Sequence, residues 1–248
     1  MDGTPLRQSP VRVGASSNGA LRTLTLDRPE KANALDGAIV DALLAAFEAA
    51  AQDGTPIAFT GEGKAFCGGF DFTGVDEQSH GDLLLRFARV EALLQAVRHA
   101  PVVTVAMVGG AAFGAGADLA AACAYRVGSP EAKFRFPGFR FGVALGTRRL
   151  AAIVGTDAAR AILLENRTLT AEQALELGLL THLVDKSELE ATAESIVASH
   201  AGLTPSSTGR LLDLTIADTR DADMADLVRS LAPDGLHERI ARYRGGHR

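Results

Sequence analysis

The stretch Pro101–Ala122, PVVTVAMVGGAAFGAGADLAAA, constrains this chain more than any other. It opens with the β-branched run Val102–Val105, which suits a strand covered on both faces. Gly109, Gly110, Gly114 and Gly116 then allow a tight turn and a close approach to the backbone, and helical spacing begins at about Gly114. A helix that opens this way offers unpaired N–H groups and a partial positive charge at its N-terminus. That end suits an anion or a developing oxyanion. Asp118, one turn on, is the first side-chain carboxylate after eighteen uncharged residues.

Two other readings of the stretch fail on its residues. Ala100–Ala117 has the length of a membrane span, but it holds a proline, four glycines and few large aliphatics. Gly114-Ala-Gly116 would need a third glycine at position 119 for a dinucleotide fingerprint, and that residue is Leu119.

The rest of the chain narrows the function classes. At 248 residues it can bury one substantial core. A net charge of −5 with no basic stripe speaks against nucleic acid as a partner. The start, MDGTPLRQSPVRV, has no apolar core of signal-peptide type, so a cytoplasmic protein without a membrane partner is expected. Cys67 and Cys123 form no metal spacing, and no metal site is expected.

Along the chain, the first ten residues read as loose. A β-hairpin over Val11–Ala15 and Ala20–Leu26 turns at Ser16–Gly19, and Asp36 caps a helix to about Gln52. A short strand, Ile57–Thr60, leads into a second glycine-rich loop, Gly61–Asp71. A helix is expected over Asp82–His99, strands over Tyr125–Gly128 and Lys133–Phe136, and a helix over Gly146–Glu165 broken near Gly155. Ala171–Gly178 reads as helix and His182–Val184 as a last strand. From Ser187 on the pattern is helical only, with breaks near Thr204-Pro205, Asp218 and Pro233–Gly235.

Four segments together resemble the crotonase (enoyl-CoA hydratase/isomerase) family. They are Leu24–Leu35, Gly63–Asp71, Pro101–Ala122 and Ala171–Leu180, the last extended by Leu180–Val184. The resemblance implies an α/β fold, a spiral of ββα repeats over residues 1–186, with a C-terminal helical trimerisation region over 187–248. It implies a homotrimer or hexamer and a coenzyme A thioester as substrate, with no other cofactor. Matched residue by residue, the backbone N–H groups of Phe70 and Ala115 would bond the thioester oxygen as an enolate forms. The coenzyme A would lie along Arg28, Lys31, Ala32, Ala65, Phe66, Gly68 and Asp71, with Arg242 or Arg244 reaching a phosphate.

The sequence departs from the resemblance where a typical hydratase carries two glutamates. The first position is matched by Asp118 and the second by Gly138, which has no carboxyl. The loop Gly142–Leu150 is also about three residues shorter than its usual glycine-rich form. Adding water needs a group that positions the water and handles its proton, and one short acid does this poorly. Asp118 alone suffices in principle for double-bond migration. A substrate carboxylate held by Arg86, Arg89, Arg140 or Arg148 would fill the gap and fit decarboxylation, C–C bond chemistry or hydrolysis. A binder of acyl-CoA without chemistry is the alternative. Cys67 is read as a small buried thiol, Cys123 as core, and His80 as part of a loop near the acyl pocket.

Overall fold

The computed structural model describes residues 9–16 and 19–246, so the expectation for the N-terminal residues and the tip of the first hairpin lie largely outside the described residues. β1 (Val11–Ala15) and β2 (Arg22–Leu26) form the antiparallel hairpin, and α1 (Gly37–Gln52) follows with Asp36 accepting from the Ile39 N–H as its cap. A strand–strand–helix unit then recurs. β3 (Ile57–Gly61), β4 (Ala65–Cys67) and α2 (His80–Arg98) make the first. β5 (Thr104–Val108), β6 (Ala111–Phe113) and α3 (Ala115–Ala122) make the second. β7 (Tyr125–Gly128) and β8 (Lys133–Arg135) lead to the pair α4 (Thr147–Val154) and α5 (Thr156–Glu165).

Each unit sends its first strand to one sheet and its second to another. With β9 (Thr168–Thr170), α6 (Ala171–Glu176) and β10 (His182–Leu183), the sheet orders are β1-β2-β3-β5-β7-β10 and β4-β6-β8-β9. The larger sheet is parallel beyond its hairpin, and the smaller is parallel except for β8 against β9. All five residues of β5 are buried, which is why its sequence does not alternate.

The central strand begins two residues later than Val102. Pro101 has no N–H to give a ladder, and pairing starts where the Ile57 N–H donates to the Val103 carbonyl. The helix expected from Asp82 begins at His80. Ser79 is its cap and Asp82 closes a capping box back onto it. Helix α3 is buried at all eight positions. A side chain at Gly116 would overlap the Cys67 carbonyl, so a bare backbone here lets α3 sit directly on β4.

The C-terminal helices are α7 (Leu189–Ser199), α8 (Pro205–Leu214), α9 (Arg220–Leu231) and α10 (Leu236–Gly245). α7 packs Leu189, Ala193 and Ile196 on the large sheet beside Val105 and Val127. Leu227 and Leu231 of α9 and Leu236 and Ile240 of α10 share a second apolar cluster with Phe70, Phe87 and Phe141. The tail thereby closes over the loops that matter below. α8 buries none of its residues and leaves Leu211 and Leu214 exposed. Among the described residues, no helix is long and apolar enough to cross a membrane.

Candidate active site

The two glycine loops meet at the start of α3. The Leu35 N–H donates to the Gly69 carbonyl at 2.7 Å and the Asp71 N–H to the Leu35 carbonyl at 3.0 Å. These bonds flank Phe70, so its own N–H faces away from Leu35. Gly69 has a φ of +90°, and a Cβ there would come within 2.5 Å of the Phe113 carbonyl and 3.3 Å of the Ala115 nitrogen. Only glycine lets this loop lie so close to the first turn of α3. Phe70, Ala115 and Asp118 consequently line one pocket. Among the described residues, neither the Phe70 nor the Ala115 N–H donates a hydrogen bond to a backbone acceptor.

Asp118 is buried, and its Oδ1 has no hydrogen-bond partner among the described residues. It is therefore not a first-turn acid satisfied by helix N–H groups. Gly146, with a φ of +66°, presents its bare Cα to this carboxylate, and a Cβ there would overlap Oδ1. Burial pushes the Asp118 carboxyl well above the usual carboxylate range, against the pull of Arg149 and with a push from Glu91. Arg149 and Glu91 form a fully buried two-pronged pair, at 2.9 and 2.5 Å, that ties α4 to α2 behind the site. Asp223 of α9 stands 3.6 Å from the same guanidinium.

The position matched to the second acid is closed by backbone. After Pro137 the chain enters a short 3-10 turn, Gly138–Phe141, and the Val143 N–H returns to the Gly138 carbonyl at 2.9 Å. A Cβ on Gly138 would stand 2.6 Å from the Val143 carbonyl oxygen. The loop after Gly138 thus occupies the space in which a side chain would begin. The facing wall is aromatic. Phe70 stacks on Phe87 at 4.1 Å, Phe141 meets Phe72 edge to face, and Tyr243 of α10 reaches Phe141 at 5.0 Å.

The structure brings the residues expected along coenzyme A together but gives them unequal roles. Lys31, Ala32 and Gly68 are exposed, and the Gly68 N–H donates to the Ala32 carbonyl at 2.8 Å. Ala65 is half-buried beside them, while the Phe66 side chain belongs to the core. Arg28 is turned inward, with Asp36 at 2.7 Å and Asp71 at 3.0 Å. Burial pushes the Asp71 carboxyl up, but hydrogen bonds from Thr73 and the Arg28 charge outweigh it and hold it below the usual range. Arg28 and Asp71 therefore pin the turn before α1 to the loop after β4. Asn33, which lies in the Leu24–Leu35 segment but is not among the residues expected at the site, completes that pin. Its side chain is fully buried, accepts from the Arg28 N–H and donates to the Glu62 and Ala65 carbonyls.

The arginines named for a substrate anion are engaged elsewhere. Arg86 lies over the Phe70 ring at 4.2 Å and bonds the Asp71 carbonyl, Arg89 pairs with Asp41, and Arg148 pairs with Asp223 and Asp226. Arg140 is exposed and donates to the Leu164 carbonyl. None of the four lines the pocket; among the described residues the cation that does is Arg135. Arg244 pairs with Asp76. His80 begins α2 and lies in no loop. Burial raises the Cys67 thiol to about 12, and its Sγ faces the Asn33 carbonyl, as suits a structural cysteine.

The model of the enoyl-CoA hydratase/isomerase family matches residues 16–227. The chain belongs to this family, the crotonases, whose members act on acyl-CoA substrates. Its relatives include the protein named probable enoyl-CoA hydratase echA6 of Mycobacterium tuberculosis, 37% identical over 190 residues, or 74% of this chain and 75% of the relative. A crystal structure from Bordetella parapertussis, assigned as an enoyl-CoA hydratase/isomerase, superposes with a TM-score of 0.91 at 41% identity over 94% of this chain and 98% of that one. A monofunctional enoyl-CoA isomerase of Mycobacterium smegmatis shares the fold at a TM-score of 0.67 and 23% identity, over 94% and 98% of the two chains.

Proposed function

We propose that the protein forms an enolate of an acyl-CoA thioester and moves one proton with Asp118, as an isomerase or lyase and not as a simple hydratase. The observation that carries this reading is the solitary acid. Asp118 stands buried, with a free oxygen, in the pocket that Phe70 and Ala115 also line, while the second acid position is filled by the Val143 carbonyl.

The thioester oxygen would accept from the Phe70 and Ala115 N–H groups, which face no other backbone acceptor and so need no rearrangement as charge develops. Losing one such donor typically costs about 3–4 kcal/mol of barrier. Ionised Asp118 would take a proton from the carbon chain and return it to another carbon, with the negative charge held on the thioester oxygen between the two transfers. Burial raises the carboxyl's affinity for a proton, which strengthens it as the base of the first transfer. Water addition would need a second group at position 138.

Coenzyme A would cross the exposed rim formed by Lys31, Ala32 and Gly68. The exposed face of α8 would serve self-association as a trimer or hexamer. The reading is tested by supplying 3-enoyl-CoA and 2-enoyl-CoA esters in parallel and following the products by chromatography. Migration of the double bond is expected to outrun hydration, and Asp118→Asn to lose about 10²–10⁴-fold of it. Hydration as fast as migration would contradict the reading.

A further inference from the structure

Strand β8 carries a second ionisable group to the pocket. Arg135 is half-buried among the lining residues, beside Phe113, Phe139 and Leu163. Its Nε donates to the Asn166 carboxamide oxygen at 3.2 Å. Asn166 ends α5 in the left-handed region, at φ 53° and ψ 44°, which places its Cα at the helix end beside β8. The bond uses one edge of the guanidinium. Among the described residues, the terminal Nη groups donate no hydrogen bond, and no carboxylate stands within ion-pair distance of Arg135.

This sets Arg135 apart from Arg28, Arg148 and Arg149, each of which is met by protein carboxylates. Among the described residues, Asp118 is the one carboxylate on the pocket wall, and it does not pair with Arg135. A half-buried guanidinium whose Nη groups carry no protein acceptor is open to an anionic ligand. Held by Nε, its two Nη groups form a planar fork that matches the two oxygens of a carboxylate.

We propose that Arg135 receives a carboxylate on the acyl chain, so that the preferred ligand is a coenzyme A monothioester of a dicarboxylic acid. The inference rests on the acyl-CoA reading above and adds the substrate class to it. Asn166 is a positioning residue for the fork.

Calorimetric titration of chain-matched pairs tests this: succinyl-CoA against butyryl-CoA, glutaryl-CoA against valeryl-CoA, and adipoyl-CoA against hexanoyl-CoA. The carboxylated partner of at least one pair is expected to bind about 10-fold tighter or more. Arg135→Gln should abolish the difference and leave neutral esters within about 2-fold of wild type, with Arg135→Lys retaining part of the preference. Asn166→Gly keeps the left-handed cap, removes the acceptor and should weaken the preference without unfolding the strand. Equal binding within every pair, or a preference that survives Arg135→Gln, would overturn the proposal. An equal loss for both members in Arg135→Gln would place the residue on a coenzyme A phosphate and overturn it too. Failure of every ester to bind would sink the acyl-CoA reading itself, whereas loss of the preference alone would not.

Discussion

At the residue scale, Asp118 is the costly group of this molecule. In the unfolded chain an aspartate ionises near pH 3.9, whereas burial keeps the folded carboxyl protonated well above that. Between the two values the folded state binds more protons than the unfolded one, so stability falls as pH rises through this window and levels off above the folded value. Asp118→Asn has no such slope. Its stability relative to wild type is expected to grow with pH from about pH 4 upward and then to plateau. Urea denaturation of both proteins across a pH series measures this, and a difference that stays constant with pH would contradict it. The solitary acid was legible in the sequence, because Asp118 and Gly138 stand at matched positions in a resemblance. Which arginine faces the pocket was not. Arg86, Arg135, Arg140 and Arg148 look alike in one dimension, and only the packing of Asp71, Asn166, Leu164 and Asp223 against them tells them apart.

At the scale of elements, α2 and α4 are locked behind α3 by Glu91 and Arg149. Removing one member of a buried pair strands the other charge away from water, and this typically costs about 3–5 kcal/mol. Glu91→Gln is therefore expected to destabilise the fold by about 3 kcal/mol, the lower end because Asp223 stands 3.6 Å from the stranded guanidinium. Guanidinium denaturation reads this directly, and a loss below about 1 kcal/mol would show that the pair adds little to stability. The longer elements were legible from apolar spacing and caps, as with α1 behind Asp36 and the break at Gly155. The strands β4, β6 and β9 were not. Each is a three-residue piece inside or beside a glycine loop or a helix start, and it is a strand by virtue of its partners in the smaller sheet.

At the scale of the whole molecule, the repeated strand–strand–helix order winds the chain so that the two glycine loops, far apart in sequence, converge on the first turn of α3. The tail then seals the aromatic wall by placing Tyr243 against Phe72 and Phe141. The helical character of that tail was legible, but its share in the pocket was not, since nothing in its sequence names the surface it covers. α8, with Leu211 and Leu214 bare, is the face proposed for self-association. Light scattering is expected to report a trimer or hexamer, and Leu211→Asp together with Leu214→Asp to weaken it. A monomer at working concentrations would contradict that assignment.

If this pocket makes a thioester enolate with Asp118 as its one proton carrier, the α-hydrogens of a bound ester exchange with solvent. The most direct measurement is α-deuterium uptake by saturated acyl-CoA esters in D2O, with and without an added carboxylate on the chain, followed by mass spectrometry. The account predicts uptake by the wild-type protein and its loss in Asp118→Asn, with ester binding preserved in both. Binding without uptake in the wild-type protein, or uptake that persists in Asp118→Asn, would contradict it.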